Sequence, residues 1–125
     1  MIRVAVCPRV GGMNFAQYPS VTVDGIPDGA FLLDVREDDE WAAGHADGAL
    51  HIPMGQVVLR FGEITERAAD RRVYVLCKVG GRSAQVTAYL VQQGLDAVNV
   101  DGGMQAWQSA GRPLTSDTTD SPFVA

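Results

Sequence analysis

The 125-residue sequence has few of the residues that several large classes of protein require. Its two cysteines, Cys7 and Cys77, are too few for a disulfide framework, and with only His45 and His51 beside them they are a weak basis for a zinc site. The apolar runs are far shorter than the roughly 18 residues of a membrane-spanning helix, and the first residues lack the sustained apolar stretch of a secretory signal. We therefore expect a protein of the reducing cytoplasm, with no metal and no membrane partner.

Basic residues are in the minority as well. The 10 Lys and Arg residues stand against 15 Asp and Glu residues, and the formal net charge of −5 argues against a nucleic-acid partner. A hydrophobic content of 46% is ordinary for a globular chain, and the length suits one domain. We place that domain at residues 21–113. A weakly patterned extension covers residues 1–20, and a polar tail, expected to be a loose arm, covers residues 114–125.

Between these ends, strand-like and helix-like segments alternate. Short apolar runs predict strands at residues 31–35, 49–52, 72–77 and 97–100. Helices are predicted at residues 37–43, 57–68, 83–93 and 104–109. This alternation over short connections predicts an α/β fold with a parallel sheet covered on both faces. Sites in such sheets form at the carboxyl ends of strands, which directs attention to Asp34-Val35-Arg36 and to Cys77.

The segment Cys77-Lys78-Val79-Gly80-Gly81-Arg82-Ser83 joins the best-defined strand to a helix. Unpaired N–H groups in the loop and the first helical turn favour negative charge, and Lys78 and Arg82 add positive charge. These influences are expected to lower the pKa of the Cys77 thiol from its free value of about 8.5. The pattern predicts a thiolate nucleophile in a cradle of amide donors that also binds an anion. A buried core cysteine is the alternative reading.

Four motifs in order resemble the rhodanese-like family across about residues 21–112. One is the loop just described, similar to the family's Cys-(Arg/Lys)-x-Gly-x-Arg-Ser, and another is the Asp-x-Arg segment within residues 33–37. The remaining stretches are Glu40-Trp41-Ala42-Ala43-Gly44-His45 with Gly48-Ala49-Leu50-His51-Ile52-Pro53, and Asp101-Gly102-Gly103-Met104-Gln105-Ala106-Trp107. Met104 stands where the family often has an aromatic residue, a change that should affect packing more than chemistry. The resemblance implies a three-layer sandwich around a mainly parallel five-stranded sheet.

The resemblance also implies an activity. Members of the family are sulfurtransferases, in which a thiolate takes the outer sulfur of a donor such as thiosulfate and passes it from a persulfide to an acceptor. Cys77 would be the nucleophile and carrier, and the loop from Lys78 through Val79, Gly80, Gly81 and Arg82 to Ser83 would bind the substrate. Asp34 and Arg36 would support that loop. The implied partners are a small-molecule sulfur donor and an acceptor that is a small molecule or a protein. No cofactor is implied. The chain is expected to be a monomer or a homodimer.

Two other functions remain open at this stage. A non-catalytic module of the same fold would dock a partner or report redox state, but the intact cysteine loop favours catalysis. A cysteine-dependent phosphatase uses a Cys-x5-Arg loop, whereas Cys77 and Arg82 form Cys-x4-Arg. The shorter loop makes a smaller ring of amides, which suits a sulfur atom better than a phosphate group.

Several other residues have simpler interpretations. His45 and His51 are expected to hydrogen-bond or pack rather than to bind metal. Asp34 and Arg36 can also be read as only a partly buried ion pair. The acidic run Glu37-Asp38-Asp39-Glu40 predicts a solvated helix start, with a partner-docking patch as the alternative. Cys7 is read as a bystander thiol, or else as a residue that resolves an oxidised Cys77.

Overall fold

A computed structural model describes residues 18–125. The strands are β1 (Ser20–Val21), β2 (Phe31–Asp34), β3 (Leu50–His51), β4 (Val73–Leu76) and β5 (Ala97–Val100). The helices are α1 (Asp38–Ala43), α2 (Phe61–Ala68), α3 (Gly81–Gln92) and α4 (Gly103–Ser109), and short 3₁₀ turns lie at Val23–Gly25 and Met54–Gln56. Within residues 18–125 no helix is long and apolar enough to cross a membrane.

The five strands form one sheet in the order β1-β5-β4-β2-β3, and every neighbouring pair is parallel. The predicted α/β fold with a five-stranded parallel sheet is thereby confirmed. The sequence pattern did not locate β1, whose Ser20 pairs with Asn99 and Val21 with Val100 at the edge of the sheet. Two residues are too few to show the alternation that identifies a strand.

Alternate residues of the strands build two apolar layers, one on each face of the sheet. One layer joins Leu33 and Val75 to residues of α2 and α3, among them Ile64 and Leu90. The other joins strand residues such as Leu76 to Met104 and Trp107 of α4. All residues of β2, β4 and β5 are buried, as expected for parallel strands covered on both sides.

Two helices begin more than one residue away from the predicted start. The helix predicted from residue 57 begins at Phe61, because residues 57–60 form a turn in which Val58 is 68% and Leu59 87% exposed. The pattern counts the apolar Val58 toward the buried face of the predicted helix, although this side chain is exposed. The helix predicted from residue 83 begins at Gly81, directly after Gly80 turns the chain at φ +114°.

The tail is docked on the domain and is not the loose arm that its composition predicts. Thr115 and His45 exchange two backbone hydrogen bonds of 2.8 and 2.9 Å, and Phe123 N–H donates to Ala43 O at 3.1 Å. Gly44 allows this approach, because a Cβ there would collide with the backbone of Phe123. Apolar residues 114 and 124 also pack on the core, a contribution that the Ser, Thr and Asp content of the tail concealed.

Candidate active site

Cys77 directly follows β4, and its side chain lies between the loop 78–80 and the first turn of α3. Only 1% of the residue is exposed. Gly80 N–H donates to the Cys77 sulfur at 3.0 Å, and the Ser83 hydroxyl oxygen lies 3.3 Å from the same atom. Gly80 adopts φ +114°, a conformation that turns its N–H inward and that residues with a side chain rarely adopt.

The pKa of the Cys77 thiol lies below the usual value for a free cysteine. Burial is the largest single influence and raises the pKa, because it disfavours the charged thiolate. Hydrogen bonds from the Ser83 hydroxyl and from the backbone amides of Ser83, Gly80 and Val79 lower the pKa by more in total. The site therefore favours a thiolate through local donors, and the charges of Lys78 and Arg82 are not among the main causes.

Arg82 is directed at Glu40 of α1 and not at the sulfur. Its two terminal nitrogens donate to the two carboxylate oxygens of Glu40 at 2.8 and 3.0 Å. The Glu40 side chain is 18% exposed, and the bond to Arg82 lowers the pKa of its carboxyl to about 2. The expectation of a solvated Glu40 is therefore wrong, because the first turns of α1 and α3 meet above the same edge of the sheet.

Asp34 and Arg36 form a fully buried ion pair with 0% exposure of both side chains and a 2.7 Å contact. The same guanidinium donates to the backbone oxygens of Glu40 at 3.4 Å and Gly44 at 2.9 Å. No hydrogen bond in the described part of the chain joins Asp34 or Arg36 to the side chains of the Cys77 loop. The pair fixes the segment 40–44, which carries the partner of Arg82.

The first residues of α4 donate backbone hydrogen bonds to the cysteine loop. Met104 N–H donates to Cys77 O at 2.8 Å, and Gln105 N–H donates to Lys78 O at 2.9 Å. Gly103, at φ +53°, lies so close that a Cβ would collide with Cys77 O. Sequence reasoning gave the Gly102-Gly103 pair no part in the site. The signal was present, since two glycines at the end of a strand indicate a place where another backbone approaches closely.

A buried polar network continues from Ser83 into β5. The Ser83 hydroxyl oxygen is 2.5 Å from Asn99 Oδ1, and Asn99 Nδ2 donates to Asp101 at 3.1 Å. Ser83 is 0% and Asn99 1% exposed. Sequence reasoning did not single out Asn99, although a polar residue inside a buried apolar strand is a recognisable signal.

The remaining predicted residues lie around this centre. Val79 is 57% exposed, and Lys78 takes part in no ion pair among residues 18–125. His45 and His51 both stack on Trp41, with ring centroids 3.6 and 4.6 Å away. Over the described range, no group of three His, Cys, Asp or Glu side chains is placed to hold a metal ion. Cys7 lies outside the described residues.

Comparison with known proteins gives concordant matches. The family described as "Rhodanese-like domain" matches residues 21–110. A sulfurtransferase of Allochromatium vinosum is 41% identical over 86 residues, which are 68% of this chain and 78% of that protein. A rhodanese-related protein from Thermoplasma volcanium has a TM-score of 0.71 at 33% identity, with 78% of this chain and 98% of that chain covered. A thiosulfate sulfurtransferase from Pseudomonas aeruginosa has a TM-score of 0.68 at 29% identity, with 82% of this chain and 21% of that chain covered.

Proposed function

The chain belongs to the rhodanese-like family, and from this premise we propose that it transfers sulfane sulfur by way of a persulfide on Cys77. The observation that carries the proposal is the direct donation to the Cys77 sulfur from Gly80 N–H at 3.0 Å, next to the Ser83 hydroxyl at 3.3 Å. A low thiol pKa supplies the nucleophile, and fixed donors stabilise the negative charge that it carries.

The first step is attack of the Cys77 thiolate on the outer sulfur of a donor such as thiosulfate. A new S–S bond forms to Sγ, the bond between the donor's two sulfurs breaks, and its electron pair leaves with sulfite. Cys77 then carries a persulfide with one negative charge on the terminal sulfur. The step consumes no proton and needs no external oxidant or reductant, because the charge on the thiolate and donor equals that on the persulfide and sulfite.

In the second step, an acceptor nucleophile attacks the terminal sulfur. The bond between Sγ and that sulfur breaks, and the Cys77 thiolate is restored. Cyanide gives thiocyanate in this way, and a thiol gives a new persulfide. We propose a thiol, on a small molecule or on a protein, as the acceptor in the reducing cytoplasm, where Cys77 itself remains reduced.

Lys78 is the loop cation that we assign to the anionic donor. It follows Cys77 directly and has no carboxylate partner in the described range, whereas Arg82 is occupied by Glu40. Val79, 57% exposed, gives the mouth of the site an apolar edge. The Arg82–Glu40 pair then serves to position the first turn of α3 and to keep its amides directed at the sulfur.

The test is thiocyanate formation from thiosulfate and cyanide by the wild type, Cys77→Ser and Cys7→Ser. The proposal expects turnover in the wild type and in Cys7→Ser, and none in Cys77→Ser. Aryl-phosphate hydrolysis lost in Cys77→Ser, without thiocyanate formation, would instead identify a phosphatase. Oxidation of Cys77 without turnover of thiosulfate, 3-mercaptopyruvate or polysulfide would identify a redox-sensing module.

A further inference from the structure

Asn99 is a polar side chain, 1% exposed, in a strand whose other members are Ala97, Val98 and Val100. Strand alternation directs it to the same face as Ala97, on which α3 packs. A buried amide costs free energy unless its polar atoms are hydrogen-bonded. Within the described part of the chain, every side-chain hydrogen bond of Asn99 leads either to the cysteine loop and its helix or to Asp101.

The orientation of the Asn99 amide is fixed by its neighbours. Nδ2 donates to Asp101 Oδ1 at 3.1 Å and to Gly80 O at 3.4 Å. The opposite orientation would place Oδ1 against a carboxylate oxygen and a backbone carbonyl oxygen, which are both hydrogen-bond acceptors. Oδ1 is therefore an acceptor directed at Ser83, whose hydroxyl oxygen is 2.5 Å away.

The Ser83 hydroxyl has one proton, and two acceptors face it. They are Asn99 Oδ1 at 2.5 Å and the Cys77 sulfur at 3.3 Å. When Cys77 is a thiol, S–H donates to Ser83, Ser83 donates to Asn99, and all three groups are satisfied. When Cys77 is a thiolate, the sulfur needs donors, and the hydroxyl reaches it only by leaving Asn99 without a proton.

We propose that Asn99 is a positioning residue that competes with the Cys77 sulfur for the Ser83 proton and so opposes formation of the free thiolate. The proposal rests on the proposed function where it concerns the persulfide. In the persulfide the negative charge lies on the terminal sulfur, so the Ser83 hydroxyl is free to return to Asn99. Asn99 therefore favours the sulfur-loaded protein over the empty thiolate.

Four charged side chains surround this cluster. They are Lys78 in the loop, Arg82 with its partner Glu40 of α1, and Asp101 after β5. The change Asn99→Ala alters none of these charges. Because Asn99→Ala also removes the hydrogen bond to Asp101, the substitution is compared with and without Ser83, which separates an effect through Asp101 from one through the Ser83 proton.

The experiment measures the pKa of Cys77 from the ultraviolet absorbance of the thiolate, in a Cys7→Ser background that leaves one thiol. Asn99→Ala is expected to lower this pKa by about one unit, because ionisation no longer costs the Ser83–Asn99 hydrogen bond. Ser83→Ala is expected to raise it, because the thiolate loses a donor. In the Ser83→Ala/Asn99→Ala double variant, the Asn99 substitution is expected to add nothing.

An unchanged pKa in Asn99→Ala, or an equal shift with and without Ser83, would overturn the proposal. Either result would mean that Asn99 does not act through the Ser83 proton. Thr87→Val is the matched control, since Thr87 Oγ1 is buried in α3 without a hydrogen-bond partner among residues 18–125 and lies outside the network. It is expected to leave the pKa unchanged. Asn99→Val, which keeps a strand-forming side chain, replaces Asn99→Ala if the alanine variant does not fold.

The measurement separates this inference from the proposed function, because it needs no sulfur donor. A wild type that fails to take up sulfur, with the expected pKa shifts, would refute sulfur transfer and leave the role of Asn99 intact. A wild type that takes up sulfur, with no pKa shift in Asn99→Ala, would refute the role of Asn99 alone.

Discussion

Arg36 is the largest of the fully buried side chains described, and Asp34 balances its charge inside the protein. Arg36 Nε also donates to Asp34 at 2.9 Å, and Nη2 donates to Gly44 O at 2.9 Å. Such a pair adds little net stability by itself, because both charges have lost their water. Its importance lies in geometry, since it sets the start of the segment that presents Glu40 to Arg82.

Removing one charge of this pair should lower the free energy of unfolding by much more than the intact pair contributes to it. Asp34→Asn leaves the Arg36 guanidinium buried and unpaired, and we expect a loss of about 3–5 kcal/mol in the free energy of unfolding. Urea denaturation measures it. Asp47→Asn, on an exposed aspartate, is the control and should stay within about 0.5 kcal/mol of the wild type. Equal stability of the two variants would contradict this account of the pair.

At the residue scale, the sequence predicts the reacting group better than its partners. Cys77, its glycines and the following helix are contiguous, so local chemistry suffices to identify the loop. Glu40 and Asn99 are 37 and 22 residues away along the chain. Their contacts with Arg82 and Ser83 depend on which strand ends meet, and a single sequence does not specify those side-chain positions.

The helices α1 and α3 are joined by the Glu40–Arg82 pair, and this link should depend on pH. The pKa of Glu40 is lowered from 4.5 to about 2, so the stability from the pair is fully present above pH 4.5 and is lost as pH falls toward 2. We expect the free energy of unfolding of the wild type to fall more over this interval than that of Glu40→Gln. Measuring unfolding against pH tests this.

The control for this experiment is Glu66→Gln in α2, since Glu66 is exposed and has no ion-pair partner among residues 18–125. It should follow the wild type through the same pH interval. A Glu40→Gln curve parallel to that of the wild type would show that the pair contributes nothing to stability.

The start of α4 contacts the backbone of the cysteine loop, and this contact is possible because Gly103 has no Cβ. Gly103→Ala introduces a Cβ that collides with Cys77 O, at a backbone φ of +53°. We expect a loss of about 2 kcal/mol or more in the free energy of unfolding, together with slower sulfur loading of Cys77. Gly62→Ala in α2 is the control, because a Cβ there meets nothing within 4 Å. It should stabilise the helix by about 0.5–1 kcal/mol. Normal loading in Gly103→Ala would refute the supporting role of α4.

At the element scale, alternation and apolar runs predicted four strands and four helices. The wrong predictions of element positions occur where the local sequence pattern does not reflect the tertiary contacts. The apolar but exposed Val58 extended a predicted helix. The short β1 was missed because two residues do not show its pairing with β5.

At the scale of the whole molecule, the parallel sheet brings the ends of β2, β4 and β5 to one edge. Asp34, Cys77 and Asp101 are therefore neighbours in space while lying far apart in sequence. The docked tail contacts a different part of the domain. Thr115 hydrogen-bonds to the backbone of His45, and the backbone of Phe123 lies against Gly44.

Removing residues 114–125 should lower the free energy of unfolding without preventing the reaction at Cys77. The truncated chain loses two backbone hydrogen bonds to His45 and exposes apolar surface, so we expect about 1–3 kcal/mol less free energy of unfolding. No hydrogen bond among residues 18–125 joins the cysteine loop to the tail, and Cys77 should still load sulfur. Thermal unfolding and mass analysis of the truncated chain check both points. Unchanged stability, or lost loading in a folded truncated chain, would contradict the expectation.

The central claim is that Cys77 carries sulfur, and intact mass after incubation with thiosulfate tests it most directly. The wild type should gain about 32 Da, the mass of one sulfur atom, and lose it again on addition of cyanide or a reducing thiol. Cys77→Ser should gain nothing. A wild type without the added mass after thiosulfate, 3-mercaptopyruvate and polysulfide, or an equal gain in Cys77→Ser, would contradict the account.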